Sequence, residues 1–210
     1  MNNITNSIRI LIADDHPIVR QGLVALLEQE PDITIVAQAS TGKEAVLMFN
    51  QHQPDVTLMD LRMPEMDGVT AITAICNQVN SAQIIVLTTY DGDEDIYRGL
   101  RAGAKSYLLK DASPTELLTA IRTVAKGQKY IPSTVGAKLA ERMNNAPLSE
   151  RELEVLQLMV AGNSNHQISV TLHISESTVK FHINNILNKL SVNDRTQAVI
   201  SALKRGIATL

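Results

Sequence analysis

The sequence predicts an α/β doubly wound five-stranded parallel sheet followed by a small all-α four-helix domain. Three observations carry that prediction. Five short β-rich runs recur in the first part of the chain, each followed by a turn and, in most cases, a segment of helical spacing. The runs are almost continuously apolar instead of alternating, as strands covered on both faces of a parallel sheet must be. From Leu148 onward the strand signal stops and only helical periodicity remains.

In order, the expected strands are Ile8–Ala13, Ile33–Ala39, Val56–Met59, Ile84–Thr88 and Ser106–Leu109. Between and after them, Pro17–Gln29, Gly42–Gln51 and Pro114–Ala125 have helix length and apolar residues at helical spacing, and Gly127 is a natural stop for the last. Pro132 and Ser133 break the pattern, yet Val135, Leu139 and Met143 recur at every fourth position, which predicts a short amphipathic helix before a loop at Asn144–Pro147. Ser149 and Glu152 match a capping box, in which each side chain satisfies the other residue's backbone N–H. That helix continues through Leu153, Leu156 and Val160 to Gly162. A second is expected over Asn165–Leu172, a turn at His173–Ser175, a third helix to Leu190, and a fourth over Arg195–Arg205 before Gly206. The expected division is a polar tail (1–7), an α/β domain (8–127), a linker with a short helix (128–146) and a helical domain (147–210).

Composition narrows the class. The 210 residues are 44% apolar and 20% charged, ordinary for a globular protein. No apolar run reaches bilayer-spanning length, and Met1–Ser7 lacks the character of a secretory or transit signal, so the expectation is a cytoplasmic protein without a membrane partner. A single cysteine, Cys76, rules out an internal disulfide framework or a multi-cysteine zinc site. Net charge is −7 over residues 1–125, +3 over 126–146 and +1 over 147–210. The acidic first part would repel nucleic acid, and the nearly neutral last part does not by itself suggest DNA binding.

The polar residues at the strand ends are more informative. Asp14 and Asp15 follow the first strand, Asp60 the third and Lys110 the fifth, while Thr88 ends the fourth. In an open parallel sheet all these ends lie along one edge, where ligands bind. An Asp-Asp pair in a loop is most often a solvated turn, and a lone lysine at a strand end means little; the conjunction across strands is far more specific. Clustered carboxylates need a cation, and a hard oxygen site suits Mg²⁺. Asp15 and Asp60 would be direct ligands, Asp14 a direct or water-mediated one, and the backbone carbonyl of Arg62 a further oxygen donor. Asp60 is the candidate phosphoryl acceptor, because a carboxylate oxygen can form an acyl phosphate, with Lys110 and Thr88 holding the phosphoryl oxygens.

Ile10-Leu-Ile-Ala-Asp-Asp-His-Pro17, Leu58-Met-Asp-Leu-Arg-Met-Pro-Glu-Met-Asp-Gly68, Val86-Leu-Thr-Thr89 and Gly103-Ala-Lys-Ser-Tyr-Leu-Leu-Lys110 resemble the receiver domain of two-component response regulators, over about residues 8–127. The resemblance implies that Asp60 is phosphorylated by a cognate sensor histidine kinase and that Thr88 and Tyr107 form a switch pair. In such a pair the hydroxyl moves toward the phosphoryl group and the aromatic ring fills the vacated space. One departure is that Asp111 follows Lys110, where many receivers carry proline.

In the third helix of the last domain, Val179, Ile183, Ile186, Leu187 and Leu190 form one apolar stripe. The opposite face carries Lys180, Phe181, Asn184, Asn185 and Asn188, with Thr178 near its start. Such amide-rich frontage suits the major groove, where Asn can pair with adenine and apolar atoms can touch thymine methyls; behind a short helix and a tight turn it has the layout of a helix-turn-helix. On spacing alone, a helical bundle whose third helix faces water explains the pattern equally well.

Leu148-Ser-Glu-Arg-Glu-Leu-Glu-Val-Leu156, Ile174-Ser-Glu-Ser-Thr-Val-Lys-Phe-His182 and Lys189-Leu-Ser-Val-Asn-Asp-Arg-Thr-Gln-Ala198 are similar to the LuxR-type output domain of the NarL/FixJ subfamily. That resemblance implies DNA-facing positions at Lys180 and Phe181 and a fourth helix that helps dimerisation; the mechanism expected from both domains is a homodimer on paired half-sites of double-stranded promoter DNA when the receiver is phosphorylated. Asn184, Asn185 and Asn188 stand where relatives often carry lysine, so a shallow salt dependence is expected. The competing reading is a receiver-controlled adaptor whose helical domain binds protein or RNA. A dedicated enzyme is not expected, since the region after Leu148 offers no nucleophile–base pair.

Overall fold

The computed structural model describes residues 7–144 and 147–208. The first six residues of the predicted tail and the centre of the Asn144–Pro147 loop lie outside these described residues. The chain forms two compact units, residues up to Asp91 with Ile96–Gly136, and Gly92–Asp95 with Ala137 onward.

In chain order the elements are β1 (Ile8–Ala13), α1 (Pro17–Leu27), β2 (Ile33–Ala39), α2 (Gly42–His52), β3 (Val56–Met59), α3 (Gly68–Gln78), β4 (Ile84–Thr88), α4 (Asp93–Arg101), β5 (Ser106–Leu109) and α5 (Pro114–Ala125). They are followed by α6 (Ser133–Asn144), α7 (Glu150–Val160), α8 (Asn165–Leu172), α9 (Glu176–Leu190) and α10 (Arg195–Arg205). All five strands are parallel, in the order β2-β1-β3-β4-β5, so the winding reverses between β1 and β3.

Alternate residues of the strands serve the two faces. Ile10, Ile12, Val56, Leu58, Ile85, Leu87 and Leu108 pack with Leu27 of α1 and with Leu117, Ile121 and Val124 of α5. Each such side chain contributes roughly 1.5–3 kcal/mol by leaving water. The edge strand β2 departs from continuous burial, with Thr34 and Gln38 exposed, whereas β5 at the other edge keeps Ser106, Tyr107 and Leu108 buried. Arg122 of α5 holds Asp32 with two hydrogen bonds of 2.8 Å and Glu30 with one of 2.6 Å, fastening α5 to the segment before β2. These hydrogen bonds keep the Asp32 carboxyl below the usual carboxylate range and push the Arg122 guanidinium further up.

The linker helix α6 forms as expected. Val135 near its start is buried, but Met143 is 73% exposed, so the every-fourth stripe is covered only at its beginning.

In the second unit Val155, Leu156, Met159, Ile168, Val179, Ile186, Leu190, Ala198 and Ala202 form one core across α7 to α10. Every one of these helices has a side-chain N-cap: Ser149, Ser164, Ser175 and Asp194 each accept a backbone N–H from the third residue on. Ser149 with Glu152 forms the expected capping box, and Ser164 with Gln167 forms a second. Glu152 does more than cap. Its carboxylate is buried and also accepts from Lys189 Nζ at 2.7 Å, while Lys189 donates to the Pro147 carbonyl at 3.1 Å. Burial alone would raise the Glu152 pKa, but the hydrogen bonds from Lys189 and Ser149 outweigh it, and the net shift is downward.

A carboxyl held low in the folded state contributes stability that is present above its unfolded pKa and is lost as pH falls through its folded value. Glu152→Gln should therefore lower the local unfolding free energy of α7–α9 amides by about 2 kcal/mol at neutral pH, less than breaking a fully buried pair costs because Lys189 is partly exposed. Hydrogen exchange on the full chain is the measurement, and the difference from wild type should shrink as the pH drops below the ordinary glutamate range.

Candidate functional site

The sheet's ladder runs past the ends of the strands and sets the site. Asp14 N–H donates to Ala39 O at 3.1 Å, Asp60 N–H to Ala13 O at 2.8 Å, and Lys110 N–H to Thr88 O at 2.8 Å. Three functional side chains thus leave the carboxyl edge from backbone the sheet still holds. Asp14 and Asp60 are buried, and Lys110 Nζ lies 2.7 Å from Asp14 Oδ2 and 2.6 Å from Asp60 Oδ2. The other oxygens are held too: Asp60 Oδ1 accepts from Leu61 N–H at 2.6 Å and Asp14 Oδ1 from His16 N–H at 2.9 Å. Burial pulls the Lys110 pKa down, but its hydrogen bonds to both carboxylates prevail and the net shift is upward, so the ammonium stays charged.

One ammonium does not neutralise three carboxylates. Asp15 is less buried than its neighbours, yet its Oδ1 is shielded from solvent and accepts no hydrogen bond, although His16 Nδ1 lies 2.7 Å away. An orphaned carboxylate oxygen beside two buried carboxylates is what a cation would satisfy. Asp14, Asp15, His16 and Asp60 each present one ligand atom, all within 4.8 Å of one another. The acidic cluster is therefore compatible with metal binding. The sequence alone points to the three aspartates but not to His16.

Thr88 and Tyr107 are both fully buried. The Tyr107 hydroxyl donates to the Tyr90 carbonyl at 2.7 Å, and the Arg62 guanidinium stacks 4.3 Å over the Tyr90 ring. Arg62 and Tyr107 are thus joined through Tyr90, a link that the sequence does not reveal because it depends on one carbonyl and one ring face. The Tyr107 ring packs beside Val86 and under Gly99 of α4.

The loop between β3 and α3 turns sharply enough to require glycine. Gly68 N–H donates to Leu61 O at 2.8 Å, and a Cβ on Gly68 would lie 2.0 Å from the Asp60 carbonyl oxygen. Asp67 caps α3 by accepting from Thr70 N–H at 2.7 Å.

The helical unit carries the other candidate site. His173, in the left-handed region at φ 53°, turns the chain between α8 and α9, and Ile174 N–H closes the turn on Ser169 O at 3.0 Å. Arg151 of α7 donates to Leu172 O at 2.7 Å, and Arg195 of α10 to Asn163 O at 2.6 Å, so both ends of α8 are held by arginines from neighbouring helices. On α9 the predicted apolar stripe faces inward. Lys180, Phe181, Asn184 and Asn188 are exposed, with Phe181 at 60%, while Thr178 and Asn185 are half-buried. The Phe181 ring meets only the edge of His182, 5.6 Å between centroids, as its sole aromatic contact among the described residues.

A doubly wound sheet with an acidic edge, followed by a helix-turn-helix unit, has clear relatives. Residues 10–122 match the response regulator receiver domain, and residues 146–202 match the bacterial regulatory proteins of the luxR family. The chain is 44% identical over 203 residues to the transcriptional regulatory protein LiaR of Bacillus subtilis (strain 168), covering 93% of this chain and 96% of LiaR. It is 39% identical over 206 residues to the response regulator protein VraR of Staphylococcus aureus (strain NCTC 8325), covering 96% and 99%. Among solved structures it is similar to RcsB, described as two dimers bound to two parallel DNAs, at 30% identity and a TM-score of 0.72 over 95% of this chain and 99% of that one. The chain belongs to the response regulators that join a receiver domain to a LuxR-type DNA-binding domain. Among the described residues, no helix is long and apolar enough to cross a membrane.

Gly68→Ala tests the loop geometry. Forcing a methyl against backbone should cost roughly 1–3 kcal/mol of stability, with amide chemical-shift changes concentrated at Asp60, Leu61 and Lys110. An unchanged unfolding curve with unchanged shifts would show that the loop relaxes freely.

Proposed function

We propose that Asp60 accepts a phosphoryl group from a partner histidine kinase, and that this controls dimerisation and sequence-specific DNA binding by a cytoplasmic transcription factor. The observation that carries the reading is the convergence of Asp14, Asp60 and Lys110 at the sheet's carboxyl edge, with Lys110 Nζ within 2.7 Å of both carboxylates. A bound Mg²⁺, held by Asp15 and Asp60 with Asp14 and the Arg62 backbone carbonyl, would neutralise phosphoryl charge. In the transfer, an Asp60 oxygen attacks phosphorus, the P–N bond to the donor histidine breaks, and its electron pair stays on the imidazole nitrogen. Lys110 then exchanges its contact with Asp60 for a phosphoryl oxygen, and Thr88 donates to another. The movement of Thr88 alters the pocket that Tyr107 fills, and the Tyr107–Tyr90–Arg62 link carries the change outward. In functional terms the receiver comprises residues 8–127, the linker 128–146 and the output domain 147–210.

The output step is base reading by α9. Phe181 and the exposed asparagines meet base edges, Thr178 and Lys180 meet the backbone or bases near the helix start, and Asn185 lies at the margin of that face. RcsB, solved as dimers on DNA, supports a dimer on paired half-sites for this chain as well. Cations for phosphate contact are few, because Lys189 is engaged by Glu152 and Pro147 and Arg195 by Asn163 and Asn165.

Selection from random duplex DNA, with and without beryllofluoride and Mg²⁺ as the phosphoryl mimic, tests the whole reading. Enrichment of a paired half-site only with the mimic, abolished by Asp60→Asn, is expected. Equal enrichment in both conditions would discard the switch, and no enrichment from folded protein would move the helical domain to an adaptor role. On the selected site, Phe181→Ala should weaken binding about tenfold without altering the salt slope, whereas Lys180→Ala should reduce that slope by about one per subunit if Lys180 contacts phosphate.

A further inference from the structure

We infer that His16 is a nitrogen ligand of the receiver's divalent cation, which gives this site a preference for imidazole-accepting metals such as Mn²⁺ over Mg²⁺. The inference rests on the proposed cation site and deepens it. His16 stands at the N-cap of α1 without using its side chain to cap the helix, and Pro17 follows at the first helical position, where no N–H needs capping. The imidazole is therefore available for another task. Its backbone N–H is anchored on Asp14 Oδ1, and its Nδ1 lies 2.7 Å from Asp15 Oδ1 and 3.4 Å from Asp14 Oδ1. A ligand atom of His16 shares a 4.8 Å cluster with one from each of Asp14, Asp15 and Asp60.

Two features argue for a ligand in place of a simple His–Asp contact. Asp15 Oδ1 accepts no hydrogen bond from the ring despite the short separation, so the ring is poorly aligned as a donor to it. The His16 side chain is 66% exposed, so it can turn toward a cation without repacking the core. Chemistry then sets the preference. Mg²⁺ favours an all-oxygen octahedron with retained water, whereas Mn²⁺, though also suited by oxygen ligands, accepts an imidazole more readily than Mg²⁺ does, and later first-row metals more readily still. Three carboxylates with one imidazole are thus less selective for Mg²⁺ than the aspartates alone.

The test is metal binding by the full chain, read without reference to phosphorylation. Mn²⁺ affinity is measured from the loss of the free-ion EPR signal, Mg²⁺ affinity by competition, and direct nitrogen ligation from ¹⁴N modulation of the bound Mn²⁺ electron spin echo. The wild type should show a coordinated ¹⁴N that disappears in both His16→Ala and His16→Asn. In these variants Mn²⁺ affinity should fall about tenfold and Mg²⁺ affinity by less than twofold. Asp15→Asn should weaken binding of both ions, which assigns the signal to this cluster. Mn²⁺ bound without ¹⁴N modulation, or an unchanged Mn²⁺-to-Mg²⁺ preference in the His16 variants, overturns the inference and leaves the acidic cation site standing. Absence of binding by either ion in the wild type overturns both.

Discussion

Lys110 sits between Asp14 and Asp60, 2.7 and 2.6 Å from them, and the three residues follow β5, β1 and β3 respectively. Two buried carboxylates at one sheet edge would repel each other and resist burial, and the ammonium between them offsets part of that penalty. Because each residue is held by a backbone bond that continues the ladder, the charge cluster and the strand register depend on each other. A slip of one residue in any of these strands would turn its charged group toward the packed face. Under the proposed function this ion cluster is where the added phosphoryl charge acts first, since Lys110 already contacts an Asp60 oxygen at 2.6 Å.

Under the proposed function the exchange of that Lys110 contact would act on packing as well as on charge. Thr88 and Tyr107 are buried side chains on adjacent strands, paired through Val86↔Tyr107 and Thr88↔Leu109. A dense interior responds to a displaced hydroxyl by switching arrangement instead of deforming gradually. The Tyr107 hydroxyl is fixed on the Tyr90 carbonyl, and Tyr90 lies under Arg62, two residues beyond the proposed acceptor. The pocket, the aromatic core and the surface above it therefore share one short chain of contacts.

Much of this was legible in the sequence. The strands could be read because a parallel sheet demands unbroken apolar runs, a rule that β2 alone relaxes with exposed residues. The aspartates and Lys110 could be placed because strand ends share an edge. The α9 stripe followed from 3.6-residue spacing, and the Ser149–Glu152 box from a four-residue pattern; Ser164–Gln167 carries the same pattern and could have been read in the same way. Contacts between distant positions could not be foreseen. Nothing local links Glu152 to Lys189 or Arg122 to Asp32, and the role of Glu152 as an ion-pair partner depends on how α7 meets α9. His16 was missed for a different reason: a histidine after two aspartates gives no sign of whether its ring turns outward or toward the carboxylates until the start of α1 is fixed. Met143 failed as a stripe member because periodicity identifies a face without identifying what covers it.

The fate of the cations in the helical unit bears on why a phosphorylation switch would suit this chain. Lys189 lies on α9 and Arg195 at the start of α10, but the fold uses both, one to neutralise Glu152 and the other to hold the start of α8. The exposed residues of α9 are Glu176, Ser177, Lys180, Phe181, Asn184 and Asn188, with Lys180 the one cation among them. A surface of that composition gains little from phosphate neutralisation, so under the proposed function a single copy should hold DNA weakly whatever the sequence. Two linked copies on paired half-sites make the second contact intramolecular, and affinity then rises steeply with dimerisation. A receiver that controls pairing would have most influence over an output domain whose single-copy binding is poor, and one of the two lysines of α9 is already engaged in the Glu152 ion pair that ties α9 to α7.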